Sequence, residues 1–280
     1  MLLRPPAKLN RFLHITGRRA DGYHLLQTAF ELIDWCDELE VAVREDAVIE
    51  RVGGMSEVAA ADDLVVRAAR ALQPLAPVGA GCTLALTKHI PSGAGLGGGS
   101  ADAAATLLAL NHLWQLRLGL DQLIAIGARL GADVPVFLGQ QPAFAEGIGE
   151  LLQALPFVRR HYLVVHPGVA LATGPMFAHP ALRRDCAPVS AAQYLASGID
   201  DNVFAPVARA LAPEVVAAMD WLQARCGHAR LTGSGSAVFA EVADPVAAQA
   251  HLAELAVNWR GRVATSVANW FDNALARAGK

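Results

Sequence analysis

Apolar and polar residues alternate along Leu39–Glu45 (LEVAVRE) and again along Cys82–Lys88 (CTLALTK), the two-residue period of a strand with one buried face. Between these runs the period lengthens. Leu64, Val65, Ala68, Ala69 and Leu72 recur at the spacing of an amphipathic helix, with Asp62 before it as the expected N-cap. A second helix is expected over QLIAIGARL, capped by Asp121 and stopped by Gly131, and the Ala- and Leu-rich run Ser100–Trp114 predicts another. After about residue 152 the pattern restarts. HYLVVHPG, SAVFAEV and GRVATSVAN read as strands, PEVVAAMDWLQAR and the Pro-started DPVAAQAHLAEL as helices. This alternation predicts a second, α+β domain, with segment 170–201 as a connection or lid.

Composition narrows the partners. The chain has 280 residues, 54% of them hydrophobic, enough for one large or two ordinary domains. Its net charge is -3 and Lys and Arg occur in runs no longer than a pair, which argues against a nucleic-acid footprint and for small-molecule ligands. The opening MLLRPPAKLN lacks the apolar core of an export signal, and no 18-residue window is free of charge and turn residues. Cys36, Cys82, Cys186 and Cys226 are far apart, without a CxxC pair. A soluble protein of a reducing cytoplasm is expected, with no membrane association.

One stretch carries chemistry. In PSGAGLGGGSADAAA, Pro91–Ala105, five of the seven residues from Gly93 to Gly99 are glycine, and the run leads straight into a predicted helix. Glycine this dense gives up packing and costs chain entropy, so its use is close approach of backbone amides to a ligand. A helix N-terminus adds unpaired amides and partial positive charge, which together favour phosphate. Gly93, Gly95 and Gly98 satisfy GxGxxG, but the dinucleotide reading needs an acid at the end of a following strand, and Asp121 opens a helix instead. No lysine ends the loop as a Walker A sequence requires, and neither HRD nor DFG occurs downstream.

The loop resembles the second motif of the GHMP kinases, the superfamily of galacto-, homoserine, mevalonate and phosphomevalonate kinases. PAKLNRFLHITGRRADGYHLLQT (6–28), LGADVPVF (130–137), AFAEGIGE (143–150) and RLTGSGSAVFAE (230–241) extend the resemblance over nearly the whole chain, in the expected order. The Gly-Tyr-His of the first block points to the branch that phosphorylates the 2-hydroxyl of a cytidine diphosphate-linked methylerythritol, in the non-mevalonate route to isoprenoids. The resemblance implies a two-domain α+β fold. Residues 1–152 would form a ribosomal-protein-S5-domain-2-like ATP-binding domain and residues 153–280 a ferredoxin-like α+β substrate domain, with the active site in the cleft between them.

It also implies roles. ATP would be held by Pro91, Ser92, Gly93, Ala94, Gly95, Leu96, Gly97, Gly98, Gly99, Ser100 and Ala101, with Leu64, Val65 and Lys88 on the adenosine side; Ser100 would also offer its hydroxyl to Mg2+. Asp133, between the Gly131 helix stop and Pro135, is the expected general base, and Lys8 its partner at the transferred phosphate. Tyr23 and Phe177 would stack on cytosine and His24 read its edge. Asn10 would bond near the reacting alcohol, with Thr173 and the backbone around Ile148 completing the pocket. The chain departs from the family at Asp63, where the usual residue is Asn; a carboxylate accepts hydrogen bonds but does not donate them, so Asp63 offers no donor to the adenine amide edge. Other readings are a kinase for mevalonate or homoserine, a non-catalytic nucleotide sensor, and an NAD-dependent dehydrogenase.

Overall fold

The computed structural model describes residues 1–55 and 58–278. Among them, three four-stranded sheets and ten helices form the molecule. The first sheet runs in the order β1 (Leu2–Leu3), β4 (Glu38–Arg44), β6 (Gly81–Thr87), β5 (Ile49–Gly53), with β5 parallel to β6 and the other pairs antiparallel. Both alternating runs of the sequence lie here. Their inward residues, among them Leu39, Val41, Cys82 and Leu84, join one core with α1 (Leu64–Leu72), α2 (Gly98–Leu113), α3 (Leu120–Leu130) and α4 (Val134–Gly139). The Ala richness of α2 has a packing cause: Ala101, Ala103, Ala104, Ala105 and Ala109 are fully buried on several faces, where larger side chains would not fit.

The second sheet is built on a hairpin of two 13-residue strands, β2 (Pro6–Arg18) and β3 (His24–Cys36), extended by β7 (Ala143–Glu146) and β8 (Leu151–Ala154). Most of β2 is buried on both faces, which erases the two-residue period that would mark it in the sequence. The third sheet, β10 (Arg230–Leu231), β11 (Val238–Val242), β9 (His161–His166), β12 (Arg260–Thr265), is antiparallel throughout. Its core takes in residues of α7 (Ala205–Leu211) and α8 (Pro213–Cys226), and α9 (Pro245–His251) buries Ala248 nearby. The segment 170–201 carries two short helices, α5 (Thr173–Ala178) and α6 (Ala191–Ser197).

A separate apolar cluster joins the hairpin to the third sheet. Ala7, Leu9, Ile33 and Trp35 pack there on Tyr162, Val164 and Phe239, and Ala94 and Leu96 of the glycine loop are buried among them. The loop is thus anchored by its two side chains while its glycines stay clear. The last helix, α10 (Trp270–Ala278), returns to the first core, where Trp270 Nε1 donates to the Phe137 carbonyl at 3.1 Å.

Two expected caps move by a residue or more. Asp63, not Asp62, caps α1: its carboxylate accepts from the Val65 amide at 3.1 Å and from Arg51 Nη1 at 2.6 Å. The Arg51 ion pair selects it. Asp121 lies in the first turn of α3, whose cap is Gly119, with the Gln122 side chain accepting from the Gly119 amide at 2.9 Å. That helix does stop at Gly131.

Candidate active site

Gly93, Gly95 and Gly97 have φ of 63°, 75° and 73°, a left-handed backbone in which a side chain is strained. Close approach adds a second constraint. A Cβ on Gly95 would lie 2.3 Å from the Thr232 carbonyl oxygen, and one on Gly97 would lie 3.0 Å from both Lys8 Cγ and the Phe137 ring. The loop is sutured from both sides: the Lys8 amide donates to the Leu96 carbonyl at 2.9 Å and the Ala237 amide to that of Ala94 at 3.0 Å. The final glycine loop, TGSGSA, therefore lies against the first. Gly97 caps α2, so the amides at the start of a 16-residue helix open at the end of the loop.

Two cavities meet at this loop. The larger, about 740 Å³, is lined by Lys8, Asn10, Tyr23, His24, Asp133, Ile148, Thr173 and Phe177. The smaller, about 340 Å³, is lined by Leu64, Lys88 and the loop from Pro91 to Ser100. Gly93, Gly95, Gly97 and Ser100 belong to both. Val65 and Ala101 line neither; both side chains are in the first core, and the Ala101 amide is spent on the Gly97 carbonyl.

At the junction, Lys8 and Asn10 sit two residues apart on β2 and share one face. Lys8 is 3% exposed. Its ammonium donates to Asn10 Oδ1 at 2.6 Å, lies 3.4 Å from Asp133 Oδ2 and stands 5.4 Å above the Phe30 ring. Asp133 begins α4, yet its side chain makes no capping bond there and is left to face Lys8. Asn10 Nδ2 donates to Thr28 Oγ1 at 2.9 Å, and the Asn10 amide to Thr232 Oγ1 at 3.0 Å. Both threonines fall within the resemblance, Thr28 at the end of PAKLNRFLHITGRRADGYHLLQT and Thr232 at the start of TGSGSA, but it implies no role for either.

Lys88 is not free. Buried carboxylates of Asp37 and Asp102 grip its ammonium, Asp102 at 2.6 Å, and Asp37 also accepts from the His89 and Ile90 amides. Burial works against the charge on Lys88, but the two acids raise its pKa overall. Burial raises that of Asp102, against the pull of Lys88 and with the push of Asp37. This clamp ties the strand before the loop to α2 behind it.

At the far end of the larger cavity, the His24 ring stacks on Phe177 at 4.9 Å and 20°, and Phe177 meets Phe204 edge-on. Burial, Arg18 and Arg184 lower the His24 pKa. Tyr23 is 61% exposed at the hairpin tip. Thr173 reaches Ser234 of the last glycine loop at 3.4 Å, while the Ile148 amide is taken by Glu150 at 2.6 Å. Among the described residues no group of three or more His, Cys, Asp or Glu is placed to hold a metal. The Ser100 hydroxyl, bordering both cavities, suits a hard cation that takes its remaining oxygens from phosphate and water.

A glycine loop on a helix start, shared by a cavity of about 340 Å³ and one of about 740 Å³, is an architecture that suits a small-molecule kinase. The chain belongs to the GHMP kinase family: the description of the GHMP kinases' N-terminal domain matches residues 63–141, and that of their C-terminal domain residues 178–260. Within the family it groups with the 4-diphosphocytidyl-2-C-methyl-D-erythritol kinases. The protein of that name from Nitrosococcus oceani is 49% identical over 265 residues, 94% of each chain. Its namesake from Cupriavidus necator is 48% identical over 268 residues, 94% of this chain and 91% of the other. A crystal structure of 4-(cytidine 5'-diphospho)-2C-methyl-D-erythritol kinase matches with TM-score 0.82 at 32% identity, covering 96% of this chain and 100% of that one. A mevalonate kinase structure, at TM-score 0.68 and 13% identity, shares the fold.

Proposed function

We propose that the chain transfers the γ-phosphoryl group of ATP to the 2-hydroxyl of 4-diphosphocytidyl-2-C-methyl-D-erythritol, giving the 2-phosphate and ADP, in the non-mevalonate route to isoprenoids. The observation that carries this reading is the pair of cavities sharing one glycine loop, with Lys8 and Asp133 on the acceptor side of it. ATP takes the smaller cavity and the loop amides hold its phosphates. The acceptor takes the larger, its cytosine at Tyr23, His24 and Phe177 and its alcohol near Asn10 and Asp133. Stacking of cytosine on the Phe177 face that His24 now covers requires the His24 ring to leave it.

Transfer is direct. Asp133 accepts the proton of the 2-hydroxyl as that oxygen bonds to the γ-phosphorus, and the bond to the bridging oxygen of ADP breaks. The Lys8 charge, 3.4 Å from the Asp133 carboxylate, offsets negative charge that gathers at the phosphoryl oxygens. Mg2+, held by Ser100 with phosphate oxygens and water, supplies further charge neutralisation when bound.

Residues 1–152 form the ATP-binding domain and 153–280 the substrate domain in this reading. We place its site of action in the cytoplasm; among the described residues no helix is long and apolar enough to cross a membrane. Phosphorus NMR of the reaction mixture tests the proposal: a phosphomonoester coupled to carbon 2 supports it, and release of inorganic phosphate without that product sinks it.

A further inference from the structure

Asn10 has no spare amide end. Its Oδ1 accepts from Lys8 and its Nδ2 donates to Thr28, so the side chain is the middle of a buried chain of hydrogen bonds leading to the reacting groups. Thr28 fixes the NH2 end of that amide. Its hydroxyl proton goes to the Phe12 carbonyl at 2.5 Å, within the register shift that β2 makes between Asn10 and Leu13 opposite β3. A hydroxyl has one proton, so toward Asn10 the Thr28 oxygen acts as an acceptor and selects the NH2 end. Lys8 has donors alone and selects the carbonyl end. One orientation satisfies both; the reversed amide would set NH2 against the Lys8 ammonium.

We infer that Thr28 is a positioning residue for phosphoryl transfer, fixing Lys8 through Asn10. This rests on the role proposed above for Lys8 and Asp133. Thr28 is 0% exposed and Asn10 3% exposed, so bulk water does not offer substitute bonds. The relay restricts the ammonium, on one side, to a fixed carbonyl 2.6 Å away, leaving it 3.4 Å from Asp133 on the other. Without the hydroxyl the amide loses the acceptor at its NH2 end and is held at its carbonyl end alone, by Lys8 and by the Thr232 hydroxyl 3.4 Å away. A misplacement of this size affects turnover more than binding, because ATP contacts lie on the other side of the glycine loop.

The test uses Thr28→Val, which keeps shape and removes the hydroxyl, beside Thr28→Ser, Asn10→Ala, the Thr28→Val/Asn10→Ala double variant and Lys8→Ala. Each is assayed for kcat and for KM of both substrates, with thermal unfolding to verify folding. Thr28→Val is expected to lower kcat about tenfold or more with KM for ATP unchanged, Thr28→Ser to restore it, and Thr28→Val to add nothing in the Asn10→Ala background. Parent-like turnover in Thr28→Val, equal loss in Thr28→Ser, or independent multiplication with Asn10→Ala would each overturn the relay. If Lys8→Ala retains full turnover, the underlying reading of the site falls instead.

Discussion

The Lys8 ammonium lies 3.4 Å from the Asp133 carboxylate although 125 positions separate them; the lysine is nearly sequestered, and the acid is 33% exposed toward the larger cavity. That asymmetry suits a fixed cation beside an acceptor of protons that a substrate can reach. Asp133→Asn is expected to bind ATP normally and to lose turnover by about a hundredfold or more, since the amide is nearly isosteric and cannot take the proton. Calorimetric ATP titration with steady-state rates checks it. Unchanged turnover would remove Asp133 from the mechanism.

Gly95→Ala tests the close approach of the two glycine loops. The new methyl would meet the Thr232 carbonyl at 2.3 Å, on a backbone with φ of 75°. A loss of about 1 kcal/mol or more of stability is expected, together with a raised KM for ATP. Urea denaturation and kinetics measure both, and parent-like values would mean that the loops do not support one another.

Lys88 separates a clamp from a ligand. Removing it as Lys88→Ala leaves Asp37 and Asp102 buried without their cation, an uncompensated arrangement expected to cost about 3 kcal/mol or more. Denaturant midpoints report the loss. A variant of parental stability with weakened ATP binding alone would assign Lys88 to the nucleotide and not to the fold.

Another buried acid links the hairpin to the third sheet. Glu31 takes contacts from Arg160 at 3.3 Å and Arg11 at 3.9 Å, and both arginines also reach Glu241. Burial pushes Glu31 up from 4.5 to about 7, against the pull of the two arginines. Between those values the folded chain holds a proton that the unfolded chain has released. Its contribution to stability is therefore full below the lower value and lost as pH rises through the upper one. Glu31→Gln is expected to flatten the fall in urea midpoint from about pH 5 to about pH 8; an unaltered slope would assign it to other groups.

The glycine loop and its helix were legible because they depend on local chemistry: dense Gly, then dense Ala, at one strand-to-helix junction. Two strands of the first sheet, β4 and β6, were legible because they have a wet face; β1 and β5 were not read from the sequence. The hairpin carrying Lys8, Asn10, Tyr23 and His24 had no such face and thus no period, so those residues entered through motif resemblance rather than pattern. Asp63 and Asp62 are equivalent caps until Arg51 arrives from another strand. Thr28, Thr232, Asp37 and Asp102 owe their importance to partners remote in the chain, mostly beyond the reach of spacing. The stack of His24 on Phe177 is likewise a product of two elements 153 positions apart.

The acceptor is the central claim, and the most direct measurement is ATP consumption by the purified protein with Mg2+ and, in turn, 4-diphosphocytidyl-2-C-methyl-D-erythritol, mevalonate, homoserine or no acceptor. The account predicts turnover with the cytidine compound and background rates with the others. Equal or faster turnover with mevalonate or homoserine, or none with any acceptor despite ATP binding, would contradict it.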